Sequence, residues 1–240
     1  MANIIRLDKY ISDSAIVTRS EAVLSIKRGL VSVNGTVVKS NSVKVDAEKD
    51  TVTLSGRCLK YSKYIYIMLN KPEGYVSATE DGKEKTVIDL LSPELQKKDL
   101  FPAGRLDKNT VGLMLLTNDG DAAHRLLSPK HHVRKKYFFR CKFPLDESER
   151  SSLEVGAVLE DGYVTKPSTV ELLSDRQSGY ITLTEGKYHQ IKRMLESVGN
   201  KITYLERVTF GELVLDTSLK RGEWRYLTDN EISSLLSQKH

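Results

Sequence analysis

Cysteine is nearly absent from this sequence: Cys58 and Cys141 are the only two in 240 residues. Neither has a partner at metal-ligand spacing. This argues against a disulfide framework or a zinc site and fits a reducing cytoplasm. No stretch approaches the roughly 18 apolar residues of a membrane helix, and Met1 to Tyr10 holds no apolar signal core. The expectation is a soluble cytoplasmic protein. Internal repeats and low-complexity tracts are missing. So are a P-loop, a dinucleotide fingerprint and a Cys/His cluster, so nothing asks for a nucleotide, flavin or metal.

What is present is charge, unevenly placed. The net charge is +5. Residues 1–63 hold 11 Lys and Arg against 6 Asp and Glu, and the other 177 residues carry 26 of each sign. The positive excess therefore sits in the N-terminal quarter, where a polyanion would be felt first. A solvated basic surface accounts for the same numbers.

Hydrophobic spacing predicts helices over Asp8–Ile16 and Ser20–Arg28, with Ser20 as N-cap and Gly29 as terminator. Val31 to Val38 alternates around Asn34-Gly35, a strong hairpin signal. Thr51–Leu54 is a further strand, and the polar stretch Gly56–Lys63 reads as a linker. Beyond it, strands are expected at Tyr64–Leu69, Leu113–Thr117, Lys136–Phe143, Gly179–Thr184 and Trp224–Leu227. Helices are expected at Asp121–Leu127 and His189–Val198, and Thr228 to Glu231 forms a capping box that opens a last helix. Few regular crossovers separate the strands, which implies an α+β fold with a mostly antiparallel sheet.

Three places carry chemistry. In GRLDKNTVGL (residues 104–113) a single carboxylate, Asp107, lies between Arg105 and Lys108 just before a buried strand. Neighbouring cations favour its ionised form, and an ionised, positioned carboxylate can act as a nucleophile. Composition alone favours the plainer reading, a turn-capping Asp. Residues 125–142 hold seven Lys and Arg, two histidines and no acid, with Tyr137, Phe138 and Phe139 interleaved. Phosphates want the cations and an extruded base wants the rings, but a basic edge strand over core aromatics reads equally well. His131 and His132 have no further ligand at useful spacing. In EGKYHQIKRM (residues 185–194) four basic groups crowd a helix start against its dipole. A site would account for that; so would an exposed helix.

Together these residues resemble the S4-domain-containing bacterial rRNA pseudouridine synthases, in order and over nearly the whole chain. RLDKY (6–10), RSEA (19–22), IKRG (26–29) and VSVNG (31–35) are similar to an S4 RNA-binding domain. LNKPEGY (69–75) is similar to the family's first motif, and GRLDKNTVGL with LTNDG (116–120) to the second. Lys136-Tyr137 and EGKYHQIKRM match the remaining two. SPKHH (128–132), TKPS (165–168) and YHQIKR (188–193) are similar to the branch of 16S rRNA pseudouridine-516 synthases (516 counts the RNA). Residues 83–99 match no motif.

The resemblance implies a small N-terminal S4 domain (α-α-β, residues 1–58), a linker (59–63) and a catalytic core (64–240). It implies Asp107 as the nucleophile that isomerises a uridine. Tyr137 would stack on the flipped uracil and help move a proton, Lys192 would pair with Asp107, and Arg105 would fill the gap left by the base. RNA contacts would fall on Arg6, Lys9, Arg19, Ser20, Lys27, Arg28, Lys71, His131, His132, Lys136 and His189. No cofactor is implied. The partner would be ribosomal RNA, naked or in a partly assembled small subunit, and nothing demands more than a monomer. A large-subunit target, a non-catalytic S4 binder and a glycosidase-like hydrolase are the rivals. The hydrolase usually needs two carboxylates, and Asp107 has no acidic partner in the motifs.

Overall fold

The computed structural model describes residues 3–14 and 17–237. They divide into two compact units: the chain up to Ile65 with Ser92–Leu100, and Tyr66–Leu91 with Phe101 onward.

The first unit runs β1 (Ile4–Arg6), α1 (Leu7–Ser14), α2 (Arg19–Lys27), β2 (Val31–Val33), β3 (Thr36–Val37), β4 (Lys44–Asp46), β5 (Val52–Leu54) and β6 (Arg57–Leu59), and it takes in α3 (Pro93–Gln96). The first expected helix reaches Ser14; its remaining positions, 15 and 16, lie outside the described residues. Leu7, Tyr10 and Ile11 of α1 meet Ala22 and Ile26 of α2 over Val31, Val45 and Val52, all at most 2% exposed. The cap of α2 is Thr18, not Ser20. Thr18 accepts from the Glu21 amide and Glu21 bonds back to the Thr18 amide, a reciprocal pair that Ser20 has no Glu or Gln to form. Asn34 and Gly35 both take positive φ, 50° and 82°, as a two-residue hairpin between β2 and β3 requires. The stretch expected to be a linker is partly sheet. β6 pairs with β5, Tyr10 donates to the Leu59 carbonyl at 3.1 Å, and Tyr61 stacks near Tyr10 with centroids 5.2 Å apart. The motif-free stretch is also structural: Lys98 donates to the carbonyls of Ser12 and Val17.

The second unit holds β7 (Tyr66–Lys71), β8 (Phe101–Pro102), β9 (Val111–Thr117), α4 (Gly120–Leu127), β10 (Lys135–Cys141), α5 (Glu147–Val155), β11 (Thr169–Leu172), β12 (Ser178–Leu183), α6 (Gln190–Ser197), β13 (Ile202–Phe210), β14 (Leu213–Val214), β15 (Trp224–Tyr226) and α7 (Asp229–Leu236). One sheet runs β11-β12-β10-β13-β9-β7-β15, with β14 on β13 and β8 on β9. Its described pairings are antiparallel except β9 with β13. This is the expected α+β, mostly antiparallel fold. Every residue of β7 and β9 is buried, which is why both read as continuous apolar runs rather than alternating ones. The outer strands alternate. The capping box at Thr228 and Glu231 opens α7 as expected.

Gly112 decides how closely β9 and β13 approach. Its φ is +99°, and an added Cβ would lie 2.4 Å from the Arg207 carbonyl oxygen. Gly112→Ala therefore combines left-handed strain with a clash against backbone that cannot move aside. We expect a loss of about 3 kcal/mol in urea unfolding; a change below about 0.5 kcal/mol would refute this account of the strand contact.

Candidate active site

The loop before β9 is pinned at several points. Ser77 Oγ accepts from the Leu106 amide at 2.9 Å and donates to its carbonyl at 2.8 Å. Leu106 itself is buried and anchors the loop. From beneath, Lys71 at the end of β7 sends its ammonium to the carbonyls of Pro72 (3.1 Å), Asp107 (3.2 Å), Lys108 (3.2 Å) and Thr110 (2.9 Å). Lys71 is fully buried. Burial pushes its amine down to about 8, against the opposing pull of Asp107. Lys71 was expected to contact RNA; it has no surface to do so, and its four bonds go to backbone.

The pinned loop presents Asp107 to α6. Lys192 Nζ stands 2.9 Å from Asp107 Oδ2, and His189 Nε2 stands 3.6 Å from Oδ1. His189 is the N-cap of α6 and holds φ 48°, ψ 33°, a left-handed conformation uncommon for a residue with a side chain. The turn that imposes it is braced by Glu185, which is 9% exposed. That carboxylate accepts from Tyr163 (2.8 Å), the Lys166 amide (2.9 Å) and Gln190 Nε2 (2.7 Å), and Gln190 Oε1 accepts from the Lys187 amide (2.8 Å). The histidine, an expected RNA contact, thus sits beside Asp107.

A cleft of about 880 Å³ opens here, lined by Arg105, Asp107, Tyr137, His189, Lys192 and others. The four residues expected to carry the reaction share one cavity. Arg105 is exposed, while Tyr137 is buried. Lys136 is not part of this wall. On β10 alternate side chains point to opposite faces, so Lys136 lies on the face away from Tyr137. It pairs with Glu171 at 3.0 Å and covers the Tyr180 ring at 4.7 Å. Lys135 shares the Tyr137 face and lines the cleft. Strand parity could have found it.

Arg207 carried no signal in the sequence. It is 1% exposed, lies directly opposite Tyr137 on β13, and donates Nε to the Leu113 carbonyl at 2.7 Å. Burial pushes its guanidinium down, while the Tyr137 hydroxyl, to which it is hydrogen-bonded, pushes it up.

The other expected RNA contacts are scattered. In the first unit Arg6 and Arg19 both bond to the buried Asp8, at 3.0 and 3.2 Å. Burial alone would raise the Asp8 carboxyl, but the two arginines outweigh it and hold it at about 2. Lys9 pairs with Asp13 at 3.2 Å. Ser20, Lys27 and Arg28 are exposed, and neither Lys27 nor Arg28 forms an ion pair among the described residues. In the second unit His131 is half-buried and His132 is exposed, 3.5 Å from Lys166.

The sequence pattern of the family described as RNA pseudouridylate synthase matches residues 65–197, and that of the S4 domain matches residues 5–52. The chain belongs to the RNA pseudouridylate synthases. The synthase is 45% identical to an uncharacterised RNA pseudouridine synthase of Bacillus subtilis, over 96% of this chain and 98% of that one. It is 41% identical to the ribosomal small subunit pseudouridine synthase A of Haemophilus influenzae, over 96% and 99%. A crystal structure of a pseudouridylate synthase matches with a TM-score of 0.68 and 40% identity, over 96% and 99%. The synthase is an isomerase acting on RNA, and its first unit carries an S4 RNA-binding domain. Both agree with what the motifs implied.

Lys71→Met tests the loop. With the Lys71 bonds gone, the Asp107 and Lys108 carbonyls keep only the Thr110 and Gly74 amides, so Asp107 should drift, and displacement by about 1 Å can cost roughly 100-fold in rate. RNA affinity should hold. The folded protein gives up the Lys71 proton near pH 8 and the unfolded chain only near the ordinary 10.5. The folded form binds fewer protons between those values, so this group's contribution to stability rises with pH there. The stability advantage of wild type over Lys71→Met in alkaline urea titrations should grow across that window. A constant difference, or normal turnover by the variant, would refute the role.

Proposed function

We propose that the synthase converts a uridine of small-subunit ribosomal RNA to pseudouridine, with Asp107 as nucleophile. The observation that carries this is the Asp107–Lys192 pair at 2.9 Å inside the cleft. The near full-length likeness to small-subunit synthases supports the choice of RNA.

In this reading the target base leaves the stack and enters the cleft. Chemistry on a base requires extrusion, so a filler and a stacking surface are both needed. Arg105, exposed at the cleft, fills the vacated place. Tyr137 stacks on the uracil and helps move a proton. Asp107, held by Lys192 and His189, adds to the nucleoside or to a glycal formed from it. The C1′–N1 bond breaks, the uracil turns, and a C1′–C5 bond forms. C5 loses a proton and N1 gains one, so the product is an isomer and no redox partner or leaving group is required. The first unit holds the RNA by phosphate contacts, with Lys27 and Arg28 as exposed cations, while the cleft selects the base. The protein works as a monomer in the cytoplasm, on rRNA that is naked or partly assembled.

Pseudouridine mapping of rRNA from cells with and without this protein should find one site lost from 16S rRNA. Loss from 23S rRNA instead would move the target to the large subunit. Asp107→Asn should abolish conversion in vitro and leave RNA binding within about two-fold; turnover by that variant would remove Asp107 from the mechanism. Replacing Lys27 and Arg28 by Gln should weaken binding and lower the slope of log K against log salt by about two. An unchanged slope would relocate the RNA-binding face.

A further inference from the structure

We propose that Lys135 and Arg207 form a cationic wall of the cleft that holds the uracil as an anion between its release from C1′ and its reattachment through C5. The inference rests on the isomerisation described above and assigns it two further residues.

The wall is built by a strand irregularity. β10 and β13 pair Lys136 with Thr209 but Tyr137 with Arg207, so Val208 is an extra residue on β13. Without that bulge Arg207 and Phe210, three apart, would point to opposite faces. With it they share one, and Arg207 Cζ stands 5.0 Å from the centre of the Phe210 ring. Lys135, opposite Phe210, places its Nζ 5.8 Å from the same ring. Bulges recur beside active sites because they re-aim side chains in this way.

Neither cation is neutralised. Among the described residues no carboxylate lies within 4.0 Å of Lys135 or Arg207. Lys135 donates to the Val133 carbonyl at 3.0 Å and Arg207 to that of Leu113 at 2.7 Å, both uncharged acceptors. Glu185, the acid whose field reaches Lys135, is already taken by Tyr163, Gln190 and the Lys166 amide. Buried charges are ordinarily paired. Two adjacent cations without an acid, on the wall of a cavity, are complementary to an anion that enters it.

The reaction supplies that anion. When C1′–N1 breaks, the electron pair stays on N1 and spreads to O2 and O4 of the ring. The charge disappears once C5 bonds to C1′, the C5 proton leaves and N1 is protonated. A wall that attracts this charge favours the intermediate over the neutral base at either end, which is the condition for acceleration. A backbone phosphate is the other anion RNA offers. It suits exposed cations, whereas Arg207 is 1% exposed and is reached only by a group that enters the cleft.

Two charged groups act on Lys135, Arg207 from β13 and Glu185 from the loop after β12, and Tyr137 stands two residues along its own strand. Burial pushes its amine down to about 8, Arg207 pushes the same way and Glu185 opposes. The ammonium therefore carries its charge at neutral pH and loses it as pH rises through about 8.

The test uses the full-length protein and a 16S rRNA fragment. Lys135→Met should slow single-turnover conversion about 100-fold at saturating enzyme. Its Kd for RNA should stay within about two-fold and its salt slope should not change. Lys135→Arg should restore most of the rate. The wild-type rate should fall above about pH 8, and Lys135→Met should lose that limb. Thermal melts of each variant report on folding, and Arg207→Lys, which keeps the charge, should be less impaired than Arg207→Gln. A wild-type rate in Lys135→Met overturns the inference. So does a defect that appears in Kd with a salt slope reduced by about one, the signature of a phosphate contact. If wild type converts no uridine in any rRNA, the reading of function fails and takes this one with it. If Asp107→Asn turns over normally, only the nucleophile falls, and the Lys135 result still stands.

Discussion

The ammonium of Lys71 donates to the carbonyls of Pro72, Asp107, Lys108 and Thr110, and so ties the loop that holds Asp107 to the end of β7. Buried carbonyls must be satisfied, and a charged donor makes stronger bonds than a neutral one. The cost is the desolvation of an ammonium, visible in an amine driven down to about 8. What it achieves is a fixed backbone at Asp107, so that the carboxylate meets Lys192 and His189 across the cleft without searching for them. The first motif of the family thus acts on the second through the backbone.

The sheet supplies the opposite wall. Gly112 lets β9 lie against β13 at Arg207, and the extra residue at Val208 turns Arg207 and Phe210 onto the side where Tyr137 stands. Neither device is chemical by itself. Together they put a guanidinium and an ammonium on the same cleft wall as Tyr137. Below them Glu185 spends its carboxylate on bracing the turn that holds His189, which leaves the cations of the cleft wall without an acid.

Charge is divided along the chain by task. The first unit carries the net positive excess. Part of it is committed to structure, because Arg6 and Arg19 neutralise the buried Asp8. Lys27 and Arg28 stay exposed, with no ion pair among the described residues. The second unit is balanced overall, and its cleft gathers Arg105, Lys135, Lys192 and Arg207, where low dielectric makes each of them count for more.

Short-range physics made much of this legible. The Asn34-Gly35 hairpin, the Thr228–Glu231 cap, the buried run of β9 and the ordered motifs around Asp107 each depend on residues a few positions apart, and the sequence by itself determined them. It also carried the family, and with it Asp107, Tyr137, Lys192 and Arg105 as one group. Tertiary structure alone decided that Lys71 is a core cation and that Arg207 belongs to the site. Those outcomes depend on partners 36 to 94 residues away and on a one-residue bulge. A lysine or arginine in a sequence reads as surface until the backbone that surrounds it is known.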